Sequence, residues 1–182
     1  LQDEVIPAVK AAAEKIKSGE MCVTDYVEVF PCDKPAQPGG MGQYAPAVAD
    51  IDCDGEYEIA VCTRGMSSGG SVAVFTEAGT TKPGWPFTGI AAGNFNDSPT
   101  LADLDGDDSL EVIAGERGSS SGYLHVLTHR GTSFRGAWPF TLDHVPALGA
   151  AVGDLDRDGR PDIVYGSYNS LYALRDSGTL IA

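Results

Sequence analysis

Three nine-residue stretches carry the residue types that could do chemistry. Asp50, Asp52, Asp54 and Glu58 occupy positions 1, 3, 5 and 9 of the first stretch, and Asp103, Asp105, Asp107 and Glu111 the same positions of the second. Asp154, Asp156, Asp158 and Asp162 do so in the third. Alternate side chains of such a turn point toward one place, and carboxylates gathered there describe a cation site. Oxygen donors, with a backbone carbonyl near position 7 (Glu56, Ser109, Arg160), suit Ca²⁺, which takes six to eight oxygens at about 2.3–2.6 Å. Mg²⁺ fits less well, because it prefers few protein ligands in a strict octahedron. Transition metals favour His or Cys, and only Cys53 lies inside a loop. Gly106 and Arg157 stand at its register, so position 4 is not a ligand position.

Asp-x-Asp-x-Asp-Gly is also a common solvated turn. Its recurrence in three copies, each between two strand signals, weighs against that reading. Carboxylates crowded into short loops repel one another unless a cation neutralises them. Up to three Ca²⁺ ions would bring the formal charge from −14 to about −8. Asp108 replaces the glycine found at Gly55 and Gly159, so the second loop is expected to be the weakest or distorted.

The elements that must position these loops repeat with them. Pro46 to Val61 returns as Pro99 to Ala114, 53 positions on, and again as Ala150 to Tyr165 after 51 more. Lys82-Pro-Gly-Trp85-Pro-Phe87 and Arg135-Gly-Ala-Trp138-Pro-Phe140 keep the same spacing of 53. In each copy an apolar run enters the loop and a β-branched run leaves it: Ile59 to Val61, Val112 with Ile113, Ile163 with Val164. An alternating stretch follows (Ser71–Phe75, Tyr123–Leu127, Leu171–Leu174) and ends at Gly79, Gly131 or Gly178. Each copy predicts a small antiparallel sheet of three or four strands, the unit of a β-propeller blade. The expected architecture is all-β with a short N-terminal helix: residues 1–45 precede three repeats, at about 46–98, 99–149 and 150–182.

The first segment differs in kind. Val5, Val9, Ala12, Ala13 and Ile16 recur at helical spacing behind Asp3, Glu4 and Pro7, predicting an amphipathic helix over about 4–18. Cys32 to Gly42 reads as a linker. Four cysteines fall in two close pairs, Cys22 with Cys32 and Cys53 with Cys62. The shorter loops favour those two disulfides among three connectivities, with four free thiols as the alternative. Bridged cysteines would place the chain in an oxidising compartment: secreted, extracellular or at the cell surface.

The loops, with their flanking Pro-Ala-Val-Ala-Asp50, Leu-Ala-Asp103 and Ala-Val-Gly-Asp154, resemble FG-GAP/VCBS repeats, the Ca²⁺-binding blades of integrin-α-like β-propellers. The resemblance covers about residues 44–182. It implies a propeller stiffened by Ca²⁺ whose work is binding or adhesion rather than catalysis. Closed propellers have at least four blades and this chain carries three, which leaves open edges. A partial propeller, or one completed by another chain, is therefore expected, with a protein partner or self-association through an open blade edge or the N-terminal helix. The expected function is a secreted, non-catalytic Ca²⁺-binding module for adhesion or assembly. The alternatives are a C-terminal accessory domain of a secreted hydrolase and a self-assembling subunit of an extracellular or pilin-like filament.

Charge and composition narrow the partners. A net charge of −14, with 12 basic residues against 26 acidic, excludes a nucleic-acid phosphate backbone. No run approaches the roughly 20 apolar residues that span a bilayer. Gly65-Met-Ser-Ser-Gly69 and Gly118-Ser-Ser-Ser-Gly122 match a hydrolase nucleophile turn, but no helix pattern follows and they occupy equivalent places, so they read as loops. His125, His129 and His144 read as ordinary structure. Trp85 and Trp138 fit packing between repeats better than sugar stacking. Asn96-Asp-Ser98 is a glycosylation sequon if the source is eukaryotic.

Overall fold

The computed structural model describes residues 44–65, 69–91 and 93–181, which contain strands and turns but no helix. The helix expected over 4–18, the linker, Cys22 and Cys32 lie outside the described residues. The strands are β1 (Ala47–Ala49), β2 (Glu58–Cys62), β3 (Val72–Thr76), β4 (Asn94–Phe95), β5 (Thr100–Ala102) and β6 (Glu111–Arg117). They continue with β7 (Gly122–Leu127), β8 (Phe140–Leu142), β9 (Ala151–Gly153), β10 (Asp162–Gly166) and β11 (Leu171–Leu174).

Three antiparallel sheets result. The first is ordered β1-β2-β3 and the third β9-β10-β11. In the second, β6 pairs β7 and β7 pairs β8, while β4 and β5 flank the two ends of the other edge of β6. Each acidic loop joins the first two strands of its copy: β1 to β2, β5 to β6, β9 to β10. The alternating stretches form β3, β7 and β11. Each leads into a tight turn closed by a glycine with positive φ, whose N–H donates to Thr76, Thr128 or Arg175 at 2.9 Å.

The second sheet is sandwiched between the other two. Val112, Ala114 and Leu127 face the first sheet, where they meet Ile51, Ala60, Cys62, Val72 and Val74. Ile113, Leu124 and Val126 face the third, against Ile163, Tyr165 and Leu174. That explains why β6 is buried from Glu111 through Glu116, whereas β9 is open on alternate residues. A strand covered on both faces needs side chains that tolerate desolvation at every position. Two indoles reinforce the packing. Trp85 donates its ring N–H to the His129 carbonyl at 3.0 Å, and Trp138 does the same to Asp176 at 2.9 Å. Each tryptophan thus locks one sheet to the turn of the next, and the inter-repeat packing expected for both is the one observed. The peptide bonds that follow them, to Pro86 and Pro139, are cis.

Two carboxylates that the sequence does not flag sit in this interior. Asp97, fully buried, accepts from the Tyr165 hydroxyl at 2.6 Å and the Gly115 N–H at 2.7 Å, and Cys62 Sγ lies 3.5 Å from its other oxygen. One group from each sheet therefore meets it: the Cys62 thiol of β2, the Gly115 backbone N–H of β6 and the Tyr165 hydroxyl of β10. A Cβ on Gly115 would collide with the Tyr165 hydroxyl oxygen, so the joint requires glycine there. Glu116 is also fully buried. It accepts from His125 Nε2 at 2.9 Å and from the N–H groups of Ile90, Ala91 and Gly93. Burial alone would push its carboxyl up, but His125 and these amides hold it below the ordinary value.

The disulfide expected between Cys53 and Cys62 does not form. Both are free thiols, Cys53 exposed in the first loop and Cys62 buried at the far end of β2. At about 3.3 Å per residue, β2 carries Cys62 about 13 Å beyond the loop, whereas bridged cysteines need Cα atoms within about 7 Å.

Burial pushes the Asp97 carboxyl up from 3.8 to about 7, against the opposing hydrogen bonds of Tyr165, Gly115 and Cys62. The folded chain therefore holds a proton that the unfolded chain releases above about pH 4. Stability from this group is complete below that pH and is lost as pH rises toward 7. The stability advantage of the wild type over Asp97→Asn, measured by urea unfolding, is expected to shrink from pH 4 to pH 7.

Candidate metal centres

Position 9 anchors each loop from below. Glu58, Glu111 and Asp162 begin β2, β6 and β10, and all three are buried. Each accepts the backbone N–H of the residue at position 2: Ile51, Leu104 and Leu155 donate at 2.9 Å in every copy. Position 1 ties the loop from its other side. Asp50 accepts from the N–H groups of Asp54 and Gly55, and Asp154 from those of Asp158 and Gly159. These bonds satisfy the amides of the turn and fix the carboxylates without help from the rest of the fold.

The loops then need two left-handed residues each. Position 4 has φ of 58° at Cys53, 79° at Gly106 and 62° at Arg157, and position 6 has 91° at Gly55, 70° at Asp108 and 86° at Gly159. Position 4 is thus a backbone hinge, consistent with its exclusion as a ligand. Asp108 adopts the conformation expected of glycine. The cap differs there: Asp103 accepts from positions 3, 4 and 6 (Asp105, Gly106 and Asp108), where the other two loops use positions 5 and 6.

Positions 1, 3 and 9 come together in every copy. Asp50, Asp52 and Glu58 offer oxygens within 4.8 Å of one another, as do Asp103, Asp105 and Glu111, and Asp154, Asp156 and Asp162. Oxygens bound to one Ca²⁺ at 2.3–2.6 Å stand no more than about 5 Å apart. The donor set, all carboxylate oxygen, fits a hard cation. Position 5 has a second task. Asp54, Asp107 and Asp158 stand outside these triads and accept the N–H of Glu56, Ser109 and Arg160 at 2.8–2.9 Å, a turn bond within the loop. The side chains of Glu56 and Arg160 are exposed, and Ser109 is half-buried.

Charge is unevenly satisfied. In the second loop, burial and then the charges of Asp105, Asp107 and Asp103 push the Glu111 carboxyl up from 4.5 to about 7, the Leu104 N–H offsetting only part. Asp103 is held below its ordinary value, its amide donors outweighing burial. Basic side chains reach the position-3 carboxylates from outside: Arg135 contacts Asp105 at 3.2 Å and Arg175 contacts Asp156 at 2.7 Å. In the first loop Lys82 goes further, lying 3.0 Å from Asp52 and 2.8 Å from Glu58. Burial lowers its pKa, but the hydrogen bonds to Glu58 and Asp52 outweigh that and leave it raised. Sequence reasoning used Lys82 and Arg135 only as markers of the repeat; the overlooked signal was a basic residue at one register in an acidic chain.

The first two loops also touch. Leu110 donates its N–H to the Ile51 carbonyl at 2.8 Å, and Cys53 Sγ lies 3.2 Å from the Asp108 carbonyl. The third copy has Pro161 where the second has Leu110, and proline has no N–H to donate. A groove opens between the second and third loops instead, lined by Leu104, Arg135, Arg160, Pro161 and Asp176 among others.

Residues 103–165, which span the second and third loops, match the FG-GAP-like repeat family. No curated protein matches the chain.

Arg157 holds a left-handed conformation that costs an L-residue about 1–2 kcal/mol, and Gly106 shows what the position favours. Allowing for the greater unfolded entropy of glycine, Arg157→Gly is expected to stabilise the chain by about 0.5–1 kcal/mol. The midpoint of chemical denaturation measures it.

Proposed function

We propose that this FG-GAP-like repeat chain is a calcium-stabilised, non-catalytic module that works outside the cell by binding or assembling with protein partners. The three sheets are then blades of a β-propeller. The observation that carries the reading is the triad of positions 1, 3 and 9, with position 9 tied to the position-2 amide by the same hydrogen bond in three copies. In the second loop Asp103, Asp105 and Glu111 would hold the ion, and in the third Asp154, Asp156 and Asp162. A bound divalent ion supplies positive charge where Glu111 is otherwise buried among three aspartates, and it cross-links the two strands that each loop joins.

The third sheet carries the surface that fits a binding or assembly role. Gly122 to Leu124 of β7 is flanked by β8, and Val72 of β3 is bridged to Phe87. Among the described residues no such strand flanks Leu171 and Tyr172 of β11, and Tyr168, Leu171 and Leu180 are exposed at 71%, 77% and 57%. Exposed apolar side chains of this kind fit contact with a further protein surface.

Millimolar Ca²⁺ is expected to raise the melting temperature over that in EDTA. Each site adds about 2.7 kcal/mol when the ion is a hundredfold above its dissociation constant. Glu111→Gln, which keeps an acceptor for Leu104 but removes the charge, should lose the share of the second loop. Light scattering on the same samples reports whether the chain self-associates. No thermal response to Ca²⁺ would leave the loops as solvated turns and overturn the reading.

A further inference from the structure

We propose that the ammonium group of Lys82 is the resident cation of the first acidic loop, so that this loop takes no Ca²⁺ and the chain holds two ions rather than three. The inference rests on the calcium reading of the other two loops and departs from the symmetry of the repeat.

The geometry distinguishes Lys82 from every other basic residue near a loop among the described residues. Its Nζ lies 2.8 Å from Glu58 Oε1 and 3.0 Å from Asp52 Oδ2, which are two of the three carboxylates of the triad, and 3.9 Å from Asp54. Arg135, at the same register one repeat on, pairs with Asp105 at the rim and turns its other nitrogen to Asp176 of the next copy, its side chain 53% exposed. Arg175 meets only Asp156, and it too is about half exposed. Among the described residues Lys82 alone joins positions 3 and 9, and its side chain is 10% exposed.

The backbone holds it there. The Lys82 N–H donates to the Val74 carbonyl at 2.8 Å, continuing the outer edge of β3, and its carbonyl accepts from Trp85, whose indole is locked into the second sheet. The stem is therefore fixed between a strand and a buried tryptophan, unlike a surface lysine that swings aside. An ammonium group donates up to three hydrogen bonds and carries the single positive charge that the buried Glu58 needs. A Ca²⁺ ion could enter only by expelling it, which breaks both charge-assisted bonds and leaves a buried ammonium beside a divalent cation. One buried oxygen of the loop, Asp52 Oδ1, has no hydrogen-bond partner. It belongs to a carboxylate already paired with Lys82, and a lone oxygen falls well short of a Ca²⁺ coordination sphere.

The test counts Ca²⁺ bound per full chain by equilibrium dialysis at neutral pH and physiological ionic strength. The wild type is expected to bind two ions, Lys82→Gln three, and Arg135→Gln two. A second readout guards against a variant that folds poorly: Lys82→Gln should melt below the wild type in EDTA and recover in millimolar Ca²⁺, because the ion takes the vacated place. Three ions on the wild type would overturn the inference and leave the calcium reading intact, as would two on Lys82→Gln. No ion on the wild type would overturn the calcium reading itself.

Discussion

Asp97 is the constraint on which the arrangement of the three sheets depends. It is a short acid with no exposure, and groups from three separate sheet regions converge on it: the Cys62 thiol, the Gly115 amide and the Tyr165 hydroxyl. A buried carboxyl without such partners would cost several kcal/mol. Each sheet therefore has to be in place before the other two can satisfy it. Glycine at 115 follows from the same demand, because the Tyr165 hydroxyl occupies the space that a side chain would fill. The apolar clusters on the two sides of the second sheet supply most of the driving force, and the polar joint selects the one relative placement they adopt.

The acidic loops follow a different logic. Their shape is set within nine residues, by aspartates that cap their own turns and by a buried position-9 acid that accepts one amide of the loop. That local closure lets the three loops stay alike while the sheets around them differ in strand number. It does not settle the charge. The residual negative potential is met from inside by Lys82, at the rim by Arg135 and Arg175, and in the second loop by a carboxyl displaced to about 7.

Much of this was legible in the sequence, and for a physical reason. Internal repetition makes one chain its own comparison, so the spacing of 53 exposed the loops, the strands on both sides of them and the paired tryptophans together. The acidic positions were readable from the repeat; what was not readable is that the position-5 carboxylate also accepts a backbone amide of its own turn. The failures share a cause. Asp97 and Glu116 have no repeat counterpart and no periodicity, because their roles come from residues as distant as Tyr165 and Ile90 meeting them in space. The Cys53–Cys62 pairing failed because closeness in sequence does not survive an intervening extended strand. Lys82 stood in plain view, but nothing in the sequence says whether a cation at that register points into a loop or across it.

The tryptophan locks run one way. Trp85 reaches forward to the turn after β7, and Trp138 reaches forward to the turn after β11, each from its own sheet to the next. Each lock needs a donor ring on one side and an acceptor turn on the other, so the row of sheets has a head and a tail that are chemically distinct. The turn at Thr76 to Gly79, on the first sheet, receives no indole from within the described residues, and both tryptophans of the sequence are already engaged. Such a row has polarity, like a strip of tenon and mortise. Another repeat that joined it by the same device would add in the same sense, and a face-to-face twofold pairing would leave every lock unused.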